Sequence, residues 1–271
     1  MRGNDGTIDC YWWAGVTDKN EQNFGDIITP HIVRKLSGME PINVLDRGGR
    51  YLCSGSILPD LKERDIVWGS GIVRPDDLKT VPDGVKFCAV RGPLTHGLLV
   101  EKFGQEVPKI YGTSCLLIPK LFKIPKGERK YVGLVPHAIE YKAITNTDNP
   151  FYDWYSTYGE SNGYVLIDIN SGFESVIKAI NECTYVFSSS LHALILADAL
   201  GVFNAFAYFV HPYLMSSWKF NDYFLSVSRP LDPPIDCSKE PPLDFTYSSI
   251  VFDYDKFFRS CPFNFTKTTI S

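Results

Sequence analysis

Several short stretches place polar or charged residues where a buried strand is expected to end and a helix to begin. In FSSSLHALILADALG (187–201), Ser188, Ser189 and Ser190 precede a largely apolar helix that carries His192 near its start. One serine is expected to cap the helix, and its neighbours could bind an anion together with the free amides of the first turn. His192 is either a satisfied core residue or, beside this polar junction, a titratable acid/base group.

A second junction occurs near the start of the chain, in NFGDIITP (23–30). Gly25 permits a tight turn, and Asp26 stands where a helix is expected to begin. Asp26 therefore either caps that helix or faces a ligand. Asn23 and Gly25 are candidate substrate-binding residues of the same turn.

A glycine-containing turn follows a third predicted strand, in DIVWGSGIV (65–73). The backbone amides of Gly69, Ser70 and Gly71 could approach an anion closely, although a plain turn explains the motif equally well. The third glycine of the dinucleotide fingerprint is missing, so NAD binding is weakly supported.

Two further strand ends carry basic residues. Arg91 precedes Gly92 and Pro93 at a helix start, where it is either a surface residue in an ion pair or a forked clamp for a carboxylate or phosphate. His137 ends a strand in GLVPHAIE (133–140) and could face a ligand from there.

The pattern between these junctions predicts the fold. Short apolar runs without polar alternation are separated by amphipathic stretches, which is typical of parallel sheets buried on both faces. We predict an α/β fold of two Rossmann-like parallel-sheet domains facing a cleft, a GT-B-like arrangement, joined by the polar segment 120–129. The predicted domains are residues 1–122 and 130–235, and residues 236–271 form a tail that packs back on the N-terminal domain. Expected strands are 8–13, 42–45, 65–68, 86–90, 107–111, 130–135, 164–169, 184–187 and 204–209, and expected helices are 26–36, 93–103, 172–182 and 191–200.

Composition narrows the class of protein. The 271 residues are 44% hydrophobic, which supplies enough apolar material for two cores, and the net charge of −4 comes without any run rich in Lys and Arg. Nucleic acid and an electrostatic membrane anchor are therefore not expected as partners. The chain shows no signal-like or membrane-spanning run, so we expect a cytoplasmic protein. Seven cysteines without zinc-site spacing predict free buried thiols and no metal site.

The order of the junction motifs resembles the polysaccharide pyruvyl transferase family, shorter bacterial exopolysaccharide-type members included. The resemblance rests on NFGD, GSIL, WGSGI, VRGPLT, YGTSCLLIP, VGLVPH, SSSLHALILADALGV and WKFNDYFLSVSR, in that order. It implies transfer of a pyruvyl group from phosphoenolpyruvate (PEP) to saccharide hydroxyls, forming a pyruvate ketal and releasing phosphate. PEP would be the donor substrate, no cofactor is implied, and the acceptor would be a saccharide or a lipid-linked oligosaccharide. The resemblance also implies functional importance for Asp26, Arg91 and His192.

A mechanism for this reaction can be assigned to those residues as a hypothesis. Arg91 would clamp one anionic group of PEP while the serine-capped helix end receives the other. His192 would act as acid/base at the donor and Asp26 as base or orienting group for the acceptor, or the two roles would be exchanged.

Two departures from the family pattern leave alternatives open. Ser190 stands where many members have Arg, and Thr113 replaces the Asp of a Gly-Asp-Pro motif. A variant donor or an inactive homologue therefore stays open, as does a GT-B glycosyltransferase that uses a nucleotide-sugar.

Overall fold

A computed structural model describes residues 6–14, 23–210, 216–241 and 249–263. These residues form two five-stranded sheets, each with parallel neighbours throughout, flanked by helices. This architecture confirms the predicted α/β class and is consistent with two Rossmann-like domains. The domain boundaries and the GT-B-like cleft stay predictions.

The first sheet has the strand order β2-β1-β3-β4-β5. In this order the chain leaves β1 toward one edge of the sheet and returns to β3 on its other side. Parallel sheets bind ligands at such a reversal, just beyond the carboxyl ends of the two strands. The strands are β1 (Thr7–Cys10), β2 (Glu40–Asn43), β3 (Tyr51–Leu52), β4 (Ile66–Trp68) and β5 (Lys86–Ala89), and the helices of this half are α1 (Phe24–Ser37), α2 (Pro93–Phe103) and α3 (Ile118–Leu121).

The second sheet repeats this order. Its sequence across the sheet is β10-β9-β8-β6-β7, so the reversal falls between β6 and β8. The strands are β6 (Tyr131–Val135), β7 (Tyr164–Leu166), β8 (Cys183–Ser188), β9 (Phe203–Tyr208) and β10 (Ile235–Asp236). The remaining helices are α4 (Ala138–Ile144), α5 (Pro150–Trp154), α6 (Phe173–Asn181), α7 (Leu191–Leu200), α8 (Ser217–Ser226) and α9 (Tyr254–Arg259).

The helix ends have identifiable local causes. Asn23 caps α1, because its side-chain oxygen accepts a hydrogen bond from the amide of Gly25 at 2.9 Å. Helix α1 therefore begins at Phe24, two residues before the predicted start, and Asp26 is not its cap. Helix α7 ends where Gly201 takes a left-handed conformation with φ of 64°.

Helix α1 packs directly against elements of the second half of the chain. Buried side chains of α1, α6 and α7 belong to one continuous hydrophobic cluster, which includes Ile28, Phe173 and Leu194. A hydrogen bond also fixes the start of α1, because the amide of Phe24 donates to the carbonyl of Ile169 beyond β7 at 3.0 Å. The first turn of α1 is thus held next to strand ends of both sheets.

The tail contacts the first sheet through aromatic side chains. The ring of Phe257 in α9 stacks on Trp68 of β4 with centroids 4.9 Å apart, and the Trp68 indole donates to the Ser260 hydroxyl at 3.1 Å. All seven cysteines are free thiols, as predicted, although Cys88 and Cys261 are only partly buried.

Several elements differ from the sequence-based expectation, and strand β10 and helices α3, α4 and α5 are not among the predicted ones. The strand expected at 107–111 is reduced to one bridge between Tyr111 and Val90. Strand β3, two residues long, and helix α8 were not predicted, since neither has a strong apolar period. Within the described ranges, no helix is long and apolar enough to cross a bilayer.

Candidate active site

The strand reversals of both sheets open into one cavity of about 600 Å³. Its wall includes residues that follow β1 and β3 in the first sheet and β6 and β8 in the second. Five of the residues predicted from the sequence line it: Asn23, Asp26, His137, Ser190 and His192. The other predicted residues lie behind this wall: Gly25, Gly69, Ser70, Gly71, Arg91, Ser188 and Ser189.

His192 lies in the first turn of α7 with its ring against the start of α1. Its Nε2 is 3.2 Å from the hydroxyl of Ser54, which follows β3, and its Nδ1 side faces Gly25. A Cβ atom at Gly25 would lie 2.6 Å from His192 Cγ, so only glycine leaves room for the ring. Burial and the positive charges of Lys219 and Arg91, with His137 adding a smaller effect, lower the pKa of His192 to about 3. The imidazole is therefore neutral near pH 7 and able to accept a proton.

A chain of hydroxyl groups supports His192 from behind. Ser54 Oγ lies 3.4 Å from Thr113 Oγ1, and both residues are buried. Thr113 is one of the two departures from the family pattern. Because it carries a hydroxyl instead of a carboxylate, no negative charge at this position opposes the lowering of the His192 pKa.

Asp26 projects into the same cavity from the first turn of α1. Burial raises the pKa of Asp26 to about 7, against the opposing charge of Lys219. Asp26 can therefore hold a proton near neutral pH. Asp26 and His192 titrate far from their usual ranges in opposite directions, which is the pattern expected of an acid and base pair.

His137 caps α4 at the edge of the cavity. Its Nδ1 accepts a hydrogen bond from the amide of Ile139 at 3.3 Å, and its own amide donates to the Ser189 hydroxyl at 2.7 Å. Burial and the charge of Lys219 lower the pKa of His137 to about 4. His137 therefore contributes a neutral ring to the cavity.

The three serines before α7 have different roles. Ser188 donates to the carbonyl of Val135 at 2.6 Å, and Ser189 accepts from His137, so these two hydroxyls join β8 to the end of β6. Ser190 occupies the N-cap position of α7, but its side chain makes no capping bond. A serine at the N-cap, as predicted, is thus confirmed in position, although its hydroxyl does not bond to the amides of the first turn.

The amino end of α7 opens toward the cavity. Among the described residues, the amides of Leu191 and His192 find no acceptor, as is usual for the first turn of a helix without a side-chain cap. Both residues line the cavity together with Ser190. The free amides and the helix dipole together favour an anion at this point.

In the turn after β4, neither Gly69 nor Gly71 has a backbone amide free to bind a ligand. The amide of Gly69 donates to Ala89 and that of Gly71 to Gly55, both at 2.9 Å. An anion cradle at these glycines would require both bonds to break. The loop that meets the cavity is instead the neighbouring Ser54–Ile57, where the amides of Gly55 and Ser56 donate to no oxygen within the described ranges.

Arg91 is 2% exposed and does not reach the cavity. Its Nε donates to Asp222 at 3.0 Å, its Nη1 to the Ser56 hydroxyl at 2.7 Å and its Nη2 to the carbonyl of Ile72. A direct clamp on a ligand would require release of these bonds. Gly71 makes room for this arrangement, since a Cβ atom there would lie 2.5 Å from Arg91 Cζ.

Lys219 is the residue that strand-end reasoning missed. It lies on α8 and lines the cavity, where its charge acts on Asp26, His137 and His192. Burial and the nearby charge of Arg91 lower the pKa of Lys219 to about 8, while Asp26 opposes this effect. A lysine inside a helix gives no local sequence signal of this kind, because only the tertiary fold brings α8 to the strand ends.

Comparison with known proteins agrees with the motif order. The family model for polysaccharide pyruvyl transferase matches residues 23–202, more than half of the chain and the range that carries Asn23, Asp26, Arg91, His137 and His192. Neither a curated protein nor a solved structure gives a significant match. The matched range begins after β1, at the cap of α1, and runs through the reversal point of the second sheet to the end of α7. Because the match covers more than half of the chain, the chain belongs to the polysaccharide pyruvyl transferase family.

Proposed function

We propose that the protein transfers the pyruvyl group of PEP to hydroxyl groups of a saccharide, forms a pyruvate ketal and releases phosphate. The observation that carries the proposal is the meeting of Asp26, His192 and the uncapped start of α7 in one cavity. This combination offers a proton donor, a proton acceptor and an anion site at one place, which are the three requirements of the reaction.

The pKa values of the two groups in the free enzyme favour Asp26 as the acid at the donor and His192 as the base for the acceptor. Asp26, protonated up to about pH 7, gives its proton to the methylene carbon of PEP. A hydroxyl oxygen of the saccharide bonds to the resulting electron-poor carbon while its proton passes to the neutral ring of His192. A second hydroxyl then bonds to the same carbon as the carbon–oxygen bond to phosphate breaks, which closes the ketal. The proton of this hydroxyl passes to the Asp26 carboxylate, and His192 gives its proton to the departing phosphate, so both groups return to their starting states.

Different residues of the cavity wall suit the two substrates. The amides at the start of α7 and in the loop at Gly55 and Ser56 provide donors for the phosphate and carboxylate of PEP. Trp12 and Trp13 line the wall after β1, where aromatic faces suit a sugar ring. A saccharide, free or lipid-linked, is therefore the proposed acceptor.

A direct assay tests the proposal. The protein is incubated with PEP and a panel of galactosides, glucosides and mannosides, and both phosphate release and the mass gain of one pyruvate ketal are measured. We expect both signals with at least one acceptor, and about a 100-fold or larger loss of turnover in His192→Ala. PEP binding without transfer to any acceptor would indicate an inactive homologue. Binding of a nucleotide-sugar in place of PEP would refute the proposed donor.

The pH dependence of kcat/KM provides a second test. The proposed roles require protonated Asp26 and neutral His192, so kcat/KM should decline as the pH rises through about 7. A pH profile that rises through this range instead would contradict Asp26 as the acid.

A further inference from the structure

Helix α8 carries a cation into the cavity from outside the range that the family model matches. Lys219 lines the cavity on the side of Asp26 and His192. Among the described residues it forms no ion pair, and its ammonium group lies 5.2 Å from the centre of the adjacent Phe220 ring. A partly buried ammonium group without a carboxylate partner is costly, and an anion in the cavity would remove that cost.

The position of α8 is fixed by a carboxylate one turn beyond Lys219. Asp222 is completely buried and accepts hydrogen bonds from Arg91 Nε at 3.0 Å, from the Thr95 amide at 2.9 Å and from the Thr95 hydroxyl at 2.7 Å. Residues three apart lie on the same side of a helix, so these bonds fix the face of α8 that also carries Lys219.

Gly92 of the RGPLT motif serves the same contact. A Cβ atom at Gly92 would lie 2.6 Å from the carbonyl carbon of Asp222, so glycine permits the close approach of the two backbones. On another side of α8, the ring of Phe220 stacks on Phe206 of β9 with centroids 3.8 Å apart. Helix α8 is thus held between the first and the second half of the chain, with Lys219 at the cavity.

We infer that Lys219 binds an anionic group of the donor directly, and that Arg91 is a positioning residue that acts through Asp222 and α8. This inference rests on the proposed function for the identity of the donor. It explains why Arg91 is buried behind the cavity wall. It also gives Arg91, Gly92 and Thr95 of the RGPLT motif one common role, the docking of α8 through Asp222.

The direct test compares Lys219→Met, which keeps the apolar stem without the charge, with Lys219→Arg, which keeps the charge. Lys102→Met is a matched control, because Lys102 also lies on a helix with its ammonium 5.3 Å from the next ring, Phe103, but is exposed and away from the cavity. Binding of PEP and of inorganic phosphate is measured by titration calorimetry, and KM and kcat are measured for PEP.

We expect Lys219→Met to weaken PEP binding about 10- to 100-fold, the usual effect of losing a charge-assisted hydrogen bond. Lys219→Arg should recover most of this loss, and Lys102→Met should bind as the wild type does. The charge states of Lys219, Asp26, His137 and His192 all change with pH, so anion affinity is compared at matched pH. Above about pH 8 the wild type should lose affinity relative to Lys219→Arg, since lysine loses its proton there and arginine does not. PEP binding by Lys219→Met equal to that of the wild type would overturn the inference.

The positioning role of Arg91 is tested by a double-mutant cycle. Arg91→Lys and Asp222→Asn are each combined with Lys219→Met. If Arg91 acts through α8, its replacement weakens PEP binding in the wild type and has little further effect once the charge of Lys219 is absent. If the two substitutions instead weaken PEP binding by independent factors that multiply in the double mutant, Arg91 contacts the donor directly. Asp222→Asn keeps the shape of the anchor and provides the answer if Arg91→Lys fails to fold, which circular dichroism monitors.

Failure of the inference and failure of the proposed function give different results. If the wild type binds phosphate, Lys219→Met does not, and no saccharide receives a pyruvyl group, the anion role of Lys219 holds and the proposed reaction is wrong. If the wild type transfers pyruvyl groups and Lys219→Met does so with the same KM, the proposed function holds and the inference is wrong. If the wild type binds neither anion, both are wrong.

Discussion

Substitution of Gly25 by alanine tests the contact between α1 and His192 on which the site depends. The new Cβ atom would lie 2.6 Å from Cγ and 2.7 Å from Cε1 of the His192 ring. Cγ is bonded to the base of the side chain, so a rotation of the ring tip cannot relieve the clash. The ring must leave its place and lose the 3.2 Å contact with Ser54, or α1 and α7 must separate.

Two opposing effects set the change in stability. Forcing extra volume into a packed contact typically costs about 1–3 kcal/mol. Alanine is favoured over glycine within a helix by about 1 kcal/mol, and the backbone of Gly25 is helical and not left-handed. The net destabilisation of Gly25→Ala is therefore about 0–2 kcal/mol. Turnover should decrease about 100-fold, because a displacement of about 1 Å in a catalytic group has an effect of that order.

A double-mutant cycle with His192→Ala separates the clash from other effects. Without the imidazole ring, Gly25→Ala should stabilise the fold by about 1 kcal/mol, so the coupling energy between the two positions is about 1–3 kcal/mol. Unfolding free energies from urea titrations measure it without any assumption about the reaction. Gly97→Ala in α2 is the control: its Cβ atom would meet only Glu101 Oε1 at 3.8 Å, so it should stabilise the protein and leave turnover unchanged. A coupling energy near zero would refute the proposed contact.

Three further substitutions test other parts of the site. Asp26→Asn removes a carboxyl whose folded pKa, about 7, lies above its unfolded value, so the wild type loses stability from about pH 4 to 7. Relative to the wild type, Asp26→Asn should therefore gain about 1–3 kcal/mol in urea unfolding between pH 5 and 8, and a constant difference would contradict the raised pKa. Ser54→Ala removes the hydroxyl beside His192 and should lower turnover about tenfold, corresponding to one hydrogen bond of typical strength; unchanged turnover would show that Ser54 does not position the ring. Gly92→Ala would place a Cβ atom 2.5 Å from the Asp222 carboxylate, so it should cost about 1–3 kcal/mol in stability and weaken PEP binding as Lys219→Met does. Normal PEP binding by a folded Gly92→Ala protein would disconnect Gly92 from the cavity.

The sequence was sufficient to predict the fold class and most of its longer elements. Strands β6, β8 and β9 consist largely of apolar residues, and helices such as α2 begin with proline and end with glycine, so local patterns define them. Strand β3 escaped because two residues of strand carry no periodic signal. It is nevertheless half of the reversal point in the first sheet, and the loop that follows it supplies Ser54, Gly55 and Ser56 to the site.

Part of the candidate site was predictable from the positions of the strand ends. A ligand site is expected at the reversal points of parallel sheets, beyond the carboxyl ends of the strands. The predicted residues that lie there are Asn23, Asp26, His137, Ser190 and His192. Strand-end position alone does not determine whether a side chain faces the cavity or lies behind it.

Arg91 illustrates this limit. Its orientation depends on a carboxylate 131 positions later in the chain, Asp222, and no local pattern near Arg91 reports that partner. The same long-range contact fixes helix α8, which carries Lys219 to the cavity. In the inference above, Lys219 binds the donor and Arg91 anchors the helix.

Burial, together with the charge of Lys219, explains how one cavity can provide both an acid and a base. Burial disfavours the charged form of each group, so it raises the pKa of Asp26 and lowers the pKa of His192. Lys219 lowers both values, which keeps His192 neutral but weakens the hold of Asp26 on its proton. In the proposed reaction, an anion bound to Lys219 would offset that charge and let Asp26 retain its proton until the substrate is in place. Binding of the donor would thus prepare the acid, and Lys219→Met should separate the two effects by raising the pKa of Asp26 in the free enzyme.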